Sequence, residues 1–194
     1  MNRRSFIKEI LLLSAAPGIL RAQVPQMNVA AASQQIGAGN TQWLTAITPG
    51  TTRNDGNFVV GCLFTVGGSP LTVKSLSRWV VSTNSQTHTV GIWATPLGTP
   101  SLVTSAAVNT SGAAVGWKEV AITPVELSAS TQYALLSEEF SGADLWHSDA
   151  NTGISVTGVA TLNSSAYVLA PLPVEFALTA NTAGNVFVPV SFGY

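Results

Sequence analysis

The sequence predicts an all-β protein, an antiparallel β-sandwich of the jelly-roll kind, and three observations carry that prediction. From Asn40 onward Ser, Thr, Ala, Val and Gly dominate, while helix-favouring Lys, Glu and Gln are sparse. Several segments alternate apolar and polar residues at period two, as strands with one buried face do. Clusters of Gly, Pro, Asn and Ser punctuate the chain about every ten residues, the spacing of many short strands. No stretch in this region carries a long helical period, and no repeat recurs at a solenoid or propeller period.

The first segment is of a different kind. Arg3 and Arg4 precede Ser5, Phe6, Ile7 and Lys8, and an apolar run from Ile10 to Ala16 is broken by Pro17 and Gly18. This resembles a bacterial twin-arginine export signal. The run is shorter than the roughly 20 residues a membrane span requires. Residues 1–22 are therefore expected to be a cleaved signal, cut near Ala22 or later within Val29–Ala32. No membrane span is expected after cleavage, and the protein should be exported, periplasmic or extracellular. Residues 23–39, rich in Ala, Gln and Ser, read as a flexible lead-in. Residues 40–194 read as one sandwich domain.

Within that domain Trp43 falls in a candidate first strand, and Asn54-Asp55-Gly56-Asn57 makes a turn. Phe58, Val60, Cys62, Phe64 and Val66 share one parity of the next strand, and Gly67-Gly68-Ser69-Pro70 turns the chain again. Ser77–Val81 and Thr87–Trp93 read as strands, with further turns at Thr95–Gly98 and Ser111-Gly112. Gly116 permits a bend into a strand whose Trp117 caps the core, and Pro124 is expected to end it. Ser128-Ala129-Ser130 turns tightly into the strand of Tyr133 and Leu135. A loop from Glu138 through Ser141-Gly142 to Asp149 follows. Ile154, Val156, Gly158 and Ala160 alternate as one strand, and Val186, Val188, Val190 and Phe192 as another. Pro189 cannot donate to a ladder, so this last strand is expected at a sheet edge or with a bulge.

Charge narrows the function. After the signal the strong bases are Arg53, Lys74, Arg78 and Lys118, against eight acids. A mildly acidic domain with so few cations offers no face for nucleic acid. Cys62 is the only cysteine, so no internal disulfide forms, and its parity marks a buried inert thiol. No His or Cys pair has zinc-ligand spacing, and no glycine-rich phosphate loop follows a strand; neither metal nor cofactor is expected. His88 lies within a strand with no triad spacing around it and reads as a packed side chain.

The densest set of functional residue types is Asp144, Trp146, His147 and Asp149. An indole stacks on the apolar CH face of a sugar while neighbouring acid and imidazole groups take its hydroxyls. These four residues are the candidate ligand contacts, provided the loop opens to solvent rather than folding Trp146 back onto the sandwich. Two carboxylates also suggest glycoside hydrolysis, but nothing in the spacing fixes their separation.

Two segments carry a resemblance. One is Thr87-His88-Thr89-Val90-Gly91-Ile92-Trp93; the other runs from Gly116-Trp117 through Pro124-Val125-Glu126-Leu127 to Thr131-Gln132-Tyr133. Together they resemble the DUF4082 domain, a secreted bacterial β-sandwich, with Ser130 standing where that pattern has Gly. The resemblance implies a non-catalytic accessory role beside polysaccharide-active or adhesive proteins. The expected partner is a polysaccharide or another cell-surface component. A second expectation, from low charge and the apolar C-terminal strand, is a structural protein of the cell exterior that self-associates by edge pairing.

Overall fold

A computed structural model of the chain describes residues 40–94, 100–150, 152–169, 178–187 and 189–194. The expected signal segment, the lead-in and the Thr95–Gly98 turn lie outside the described residues. The described residues form thirteen strands and no helix, so the all-β antiparallel sandwich predicted from period and punctuation is the fold. Among them no helix is long and apolar enough to cross a membrane.

The larger sheet is built on β3 (Phe58–Val66). Its neighbours are β8 (Gln132–Glu139) and β11 (Ala160–Leu169), both antiparallel. Next to β8 lie β5 (Thr87–Ala94) and then β6 (Ser101–Asn109); beyond β11 lies β12 (Thr179–Ala183). The facing sheet is centred on β4 (Leu71–Val80), between β7 (Gly116–Leu127) and β13 (Val190–Gly193). A short ladder of β1 (Leu44–Thr48) with β10 (Gly153–Val156) adjoins it. The join is Thr41–Trp43, which runs along β13: the Trp43 N–H donates to Phe192 O at 2.9 Å and Gln42 bridges to Gly193. At one end of the sandwich, β2 (Thr52–Arg53) pairs with β9 (Trp146–His147).

The core lies between the sheets. Even-numbered residues of β3 (Val60, Cys62, Phe64) meet Val73 and Leu76 of β4 and Phe192 of β13. Trp43 stacks on Phe192 at 4.9 Å, and its indole N–H donates to Ala160 O. Cys62 is buried, as its parity predicts, and burial pushes its thiol pKa up.

Several elements differ from the sequence reading, each for a physical reason. β3 and β8 are buried on both faces, because Val59, Leu63, Ala134 and Leu136 join Trp93 and Leu178 in a second cluster on the outer side. Pro124 does not end its strand: β7 continues to Leu127. As an edge strand β7 can lack a donor, and the register slips there, with Val73 opposite Val125 but Ser75 opposite Ala121. The last strand is shorter than its alternation suggests, starting at Val190, and β13 stands at the edge of its three-stranded sheet as expected. Pro189 precedes it and contributes only its carbonyl, which accepts from the Trp79 N–H at 3.0 Å, while Thr41–Trp43 meet the far side of β13 through the Gln42–Gly193 bridge. Ile154–Ala160 is two strands, β10 and the start of β11, broken by a turn at Gly158 and Val159. Glu138 and Glu139 belong to β8 rather than to a loop.

Candidate functional site

The chain between β8 and β10 holds the four candidate residues, and the structure divides them. Asp144 is 4% exposed and is a fastening point. It accepts hydrogen bonds from the Ser85 and Gln86 N–H groups at 2.7 and 2.9 Å, from Thr110 Oγ1 at 2.6 Å, and stands 3.0 Å from His88 Nε2. Next to it, Asn84 Nδ2 donates to Leu145 O, and the Leu145 N–H donates back to Asn84 Oδ1. The 140–145 turn is thus clamped onto the β4–β5 connection. Burial alone raises the Asp144 carboxyl, but the bonds from Thr110, Gln86, His88 and Ser85 outweigh it and hold its pKa at about 2.

His88 is packed, as read from sequence, and fully buried. Its Nδ1 lies 2.8 Å from Glu138 O and 3.2 Å from Glu139 Oε2. Glu139 in turn receives a bidentate pair of bonds from Arg78 at 2.9 and 2.8 Å, plus one from Ser137 Oγ at 2.7 Å. This network ties β4, β5 and β8 together beneath the turn. No sequence spacing announced it, because its members lie up to 66 positions apart, from Arg78 to Asp144. The available signal was an Arg between Ser77 and Trp79 in β4 and the Glu138–Glu139 pair that closes the apolar run of β8.

His147 is buried and sits in β9. Its Nδ1 is 3.1 Å from Gly50 O, which assigns the ring proton to Nδ1. Burial lowers its pKa, the Gly50 bond works against that, and nearby Arg78 lowers it further.

Trp146 and Asp149 come together elsewhere. Trp146 is 1% exposed and folded back onto the sandwich, not an open shelf. It forms one wall of a cavity of about 350 Å³ at the end of the larger sheet, within the size range of small-ligand sites. The other aromatic walls are Phe58, which sequence parity places on the core face, Tyr167, which no sequence signal singled out, and Phe187, which alternation sets opposite Val186 and Val190 but which is buried here. Around the cavity each ring meets the next nearly edge-on. Trp146 to Phe58 is 6.2 Å at 75° and Phe58 to Tyr167 is 6.5 Å at 82°. Tyr167 to Phe187 is 6.1 Å at 86°, and Phe187 to Trp146 closes the circuit at 6.0 Å and 79°.

Polar groups stand among these walls. The Arg53 guanidinium lies 4.9 Å from the Trp146 ring and 5.7 Å from Phe58, and its outer side is held by exposed Asp55 through two 2.9 Å bonds. The Asp55 bonds raise the Arg53 pKa, burial opposes them, and Asp149 adds to the rise. Asp149, 4% exposed, accepts from Ser165 Oγ at 2.5 Å and Asn181 Nδ2 at 2.8 Å, both at Oδ2. Its Oδ1 has no hydrogen-bond partner among the described residues. The indole N–H of Trp146 is likewise buried and unpartnered among them. Asp144 and His147 do not line this cavity.

Among the described residues no group of three or more His, Cys, Asp or Glu is arranged to hold a metal ion. The arrangement provides apolar faces, one guanidinium, one carboxylate oxygen and one amide in a concave space, a set suited to holding a ligand by stacking and hydrogen bonds. Compared with family models, curated proteins and solved structures, the chain matches none.

Proposed function

We propose that the chain is an exported, non-catalytic β-sandwich module that captures a glycan or another cell-surface component in the cavity beside Trp146. The observation that carries this reading is the closed circuit of four aromatic rings around a cavity of about 350 Å³ with Arg53, Asp149 and Asn181 among its walls. Sugars offer both CH faces for rings and hydroxyls for such polar groups. The resemblance to the DUF4082 domain and the twin-arginine-like leader support an accessory role outside the cytoplasm. Asp149 is the one acid lining the cavity among the described residues. Glycoside hydrolysis calls for two carboxyl groups flanking the bond, so binding is favoured over cleavage.

The test is a glycan array probed with the purified protein and with Asn181→Ala. Asn181 is exposed, so its truncation spares the core. Retention of a glycan set by the wild type, weakened about tenfold in a folded variant whose Tm falls only by the loss of its one bond to Asp149, is the expected result. Equal retention by both removes the cavity from the reading.

Self-association is a second reading with one observation behind it: β12 is an exposed sheet edge without a charged residue or proline. Light scattering of concentrated protein distinguishes a monomer from growing particles.

A further inference from the structure

We propose that the cavity recognises a quaternary ammonium group joined to an anion, the chemistry of phosphocholine. This rests on the cavity being the glycan-capturing site and names the substituent it selects.

Four rings lining one cavity follow one another at 6.0–6.5 Å between centroids, with adjacent planes at 75–86°, as an aromatic box. A cation seated midway among centroids so spaced lies roughly 4 Å from each, within the 6 Å reach of a cation–π contact. A trimethylammonium group presents methyl surface in every direction, so it packs against several rings at once. An unmethylated ammonium would turn N–H donors toward aromatic rings that accept them poorly, at a desolvation cost. The Asp149 Oδ1 atom, free of partners among the described residues, supplies the opposing charge.

Arg53 decides against a simple cation. Its guanidinium already stands over two of the four rings and would repel a lone positive charge in the box. A ligand that carries its own anion removes that conflict. The anion pairs with Arg53 in place of Asp55, whose side chain is 60% exposed and whose bonds to Arg53 exchange readily for those of a ligand phosphate. Cation in the box and anion at the guanidinium together describe a zwitterion.

The experiment is calorimetric titration of the full chain with phosphocholine, phosphoethanolamine and neutral oligosaccharides. Trp146 emission provides a second readout. Phosphocholine should bind at least tenfold more tightly than phosphoethanolamine and change the emission. Tyr167→Leu, which removes one wall, should weaken it about tenfold or more, while Tyr167→Phe, which keeps the ring, should not; the latter also controls for folding. Arg53→Gln should weaken phosphocholine but strengthen tetramethylammonium. Equal binding of phosphoethanolamine, or indifference to Tyr167→Leu, overturns the inference. Neutral oligosaccharides bound in the cavity with phosphocholine ignored would overturn it while leaving glycan capture standing. Binding of neither ligand sinks both. Phosphatidylcholine vesicles against phosphocholine-bearing glycans then separate a lipid source from a sugar source of the group.

Discussion

Asp144 should make the stability of this protein depend on acid in a definite way. Its carboxylate receives two backbone N–H bonds, the Thr110 hydroxyl and the His88 ring, and its pKa is held at about 2 against an ordinary 3.8. A folded pKa below the unfolded one means that the ionised form is stabilised by folding. The contribution is fully present above the unfolded value and disappears as pH falls through the folded one. At 1.36 kcal/mol per unit, the difference is worth about 2 kcal/mol at neutral pH. Urea denaturation of the wild type and of Asp144→Asn from pH 6 to pH 2 reads this directly. The variant should be weaker by about 2–4 kcal/mol at pH 6, since it keeps an amide oxygen but turns an NH₂ toward donors. The gap should narrow between pH 4 and pH 2. A gap that is constant over that range, or a variant as stable as the wild type at pH 6, refutes the clamp.

Buried charge, backbone conformation and ring packing set three further outcomes. Glu139→Ala strands the fully buried Arg78 guanidinium and should cost about 3–5 kcal/mol in a denaturant melt, with Arg78→Met in the same chain recovering much of it. Ser130 and Thr83 have φ of 52° and 75°, so Ser130→Gly and Thr83→Gly should each leave stability unchanged or raise it by about 1 kcal/mol, read as Tm. Trp146→Ala, by contrast, should lower stability by about 3–5 kcal/mol, because the ring is buried among Phe58 and Phe187. Loss of ligand in that variant alone would therefore not identify a contact.

Much of the scaffold was legible in the sequence because period two and turn chemistry are local. Cys62, Phe64 and Val66 lie on the face their parity assigns. Gly116, with φ of 132°, does open β7, where Trp117 meets Trp79 across the ladder at 5.3 Å. Ser130, with φ of 52°, makes the left-handed position of the tight turn expected at Ser128–Ser130. What was not legible depends on pairing. Whether Pro124 stops a strand depends on whether that strand has a neighbour on its far side, and the segment that bridges to β13, Thr41–Trp43, lies about 150 positions away in the chain. The site suffered most. Asp144, Trp146, His147 and Asp149 are close in sequence, yet the strand twist of β9 and the turns around it send Asp144 into a clamp under β5. Trp146 and Asp149 go instead to a cavity completed by Arg53, Tyr167 and Phe187. Those partners lie in β2, in β11 and in the bend before β13, and only the tertiary fold makes them converge.

The most direct measurement is chemical-shift mapping of the ¹⁵N-labelled protein against the tightest ligand found on a glycan array. The Trp146 indole N–H and the Asn181 side-chain amide should move together and saturate together, while the Trp117 indole, at the opposite sheet, stays still. Shifts concentrated at Trp117, with Trp146 unmoved at saturation, would contradict the assignment of the cavity as the binding site.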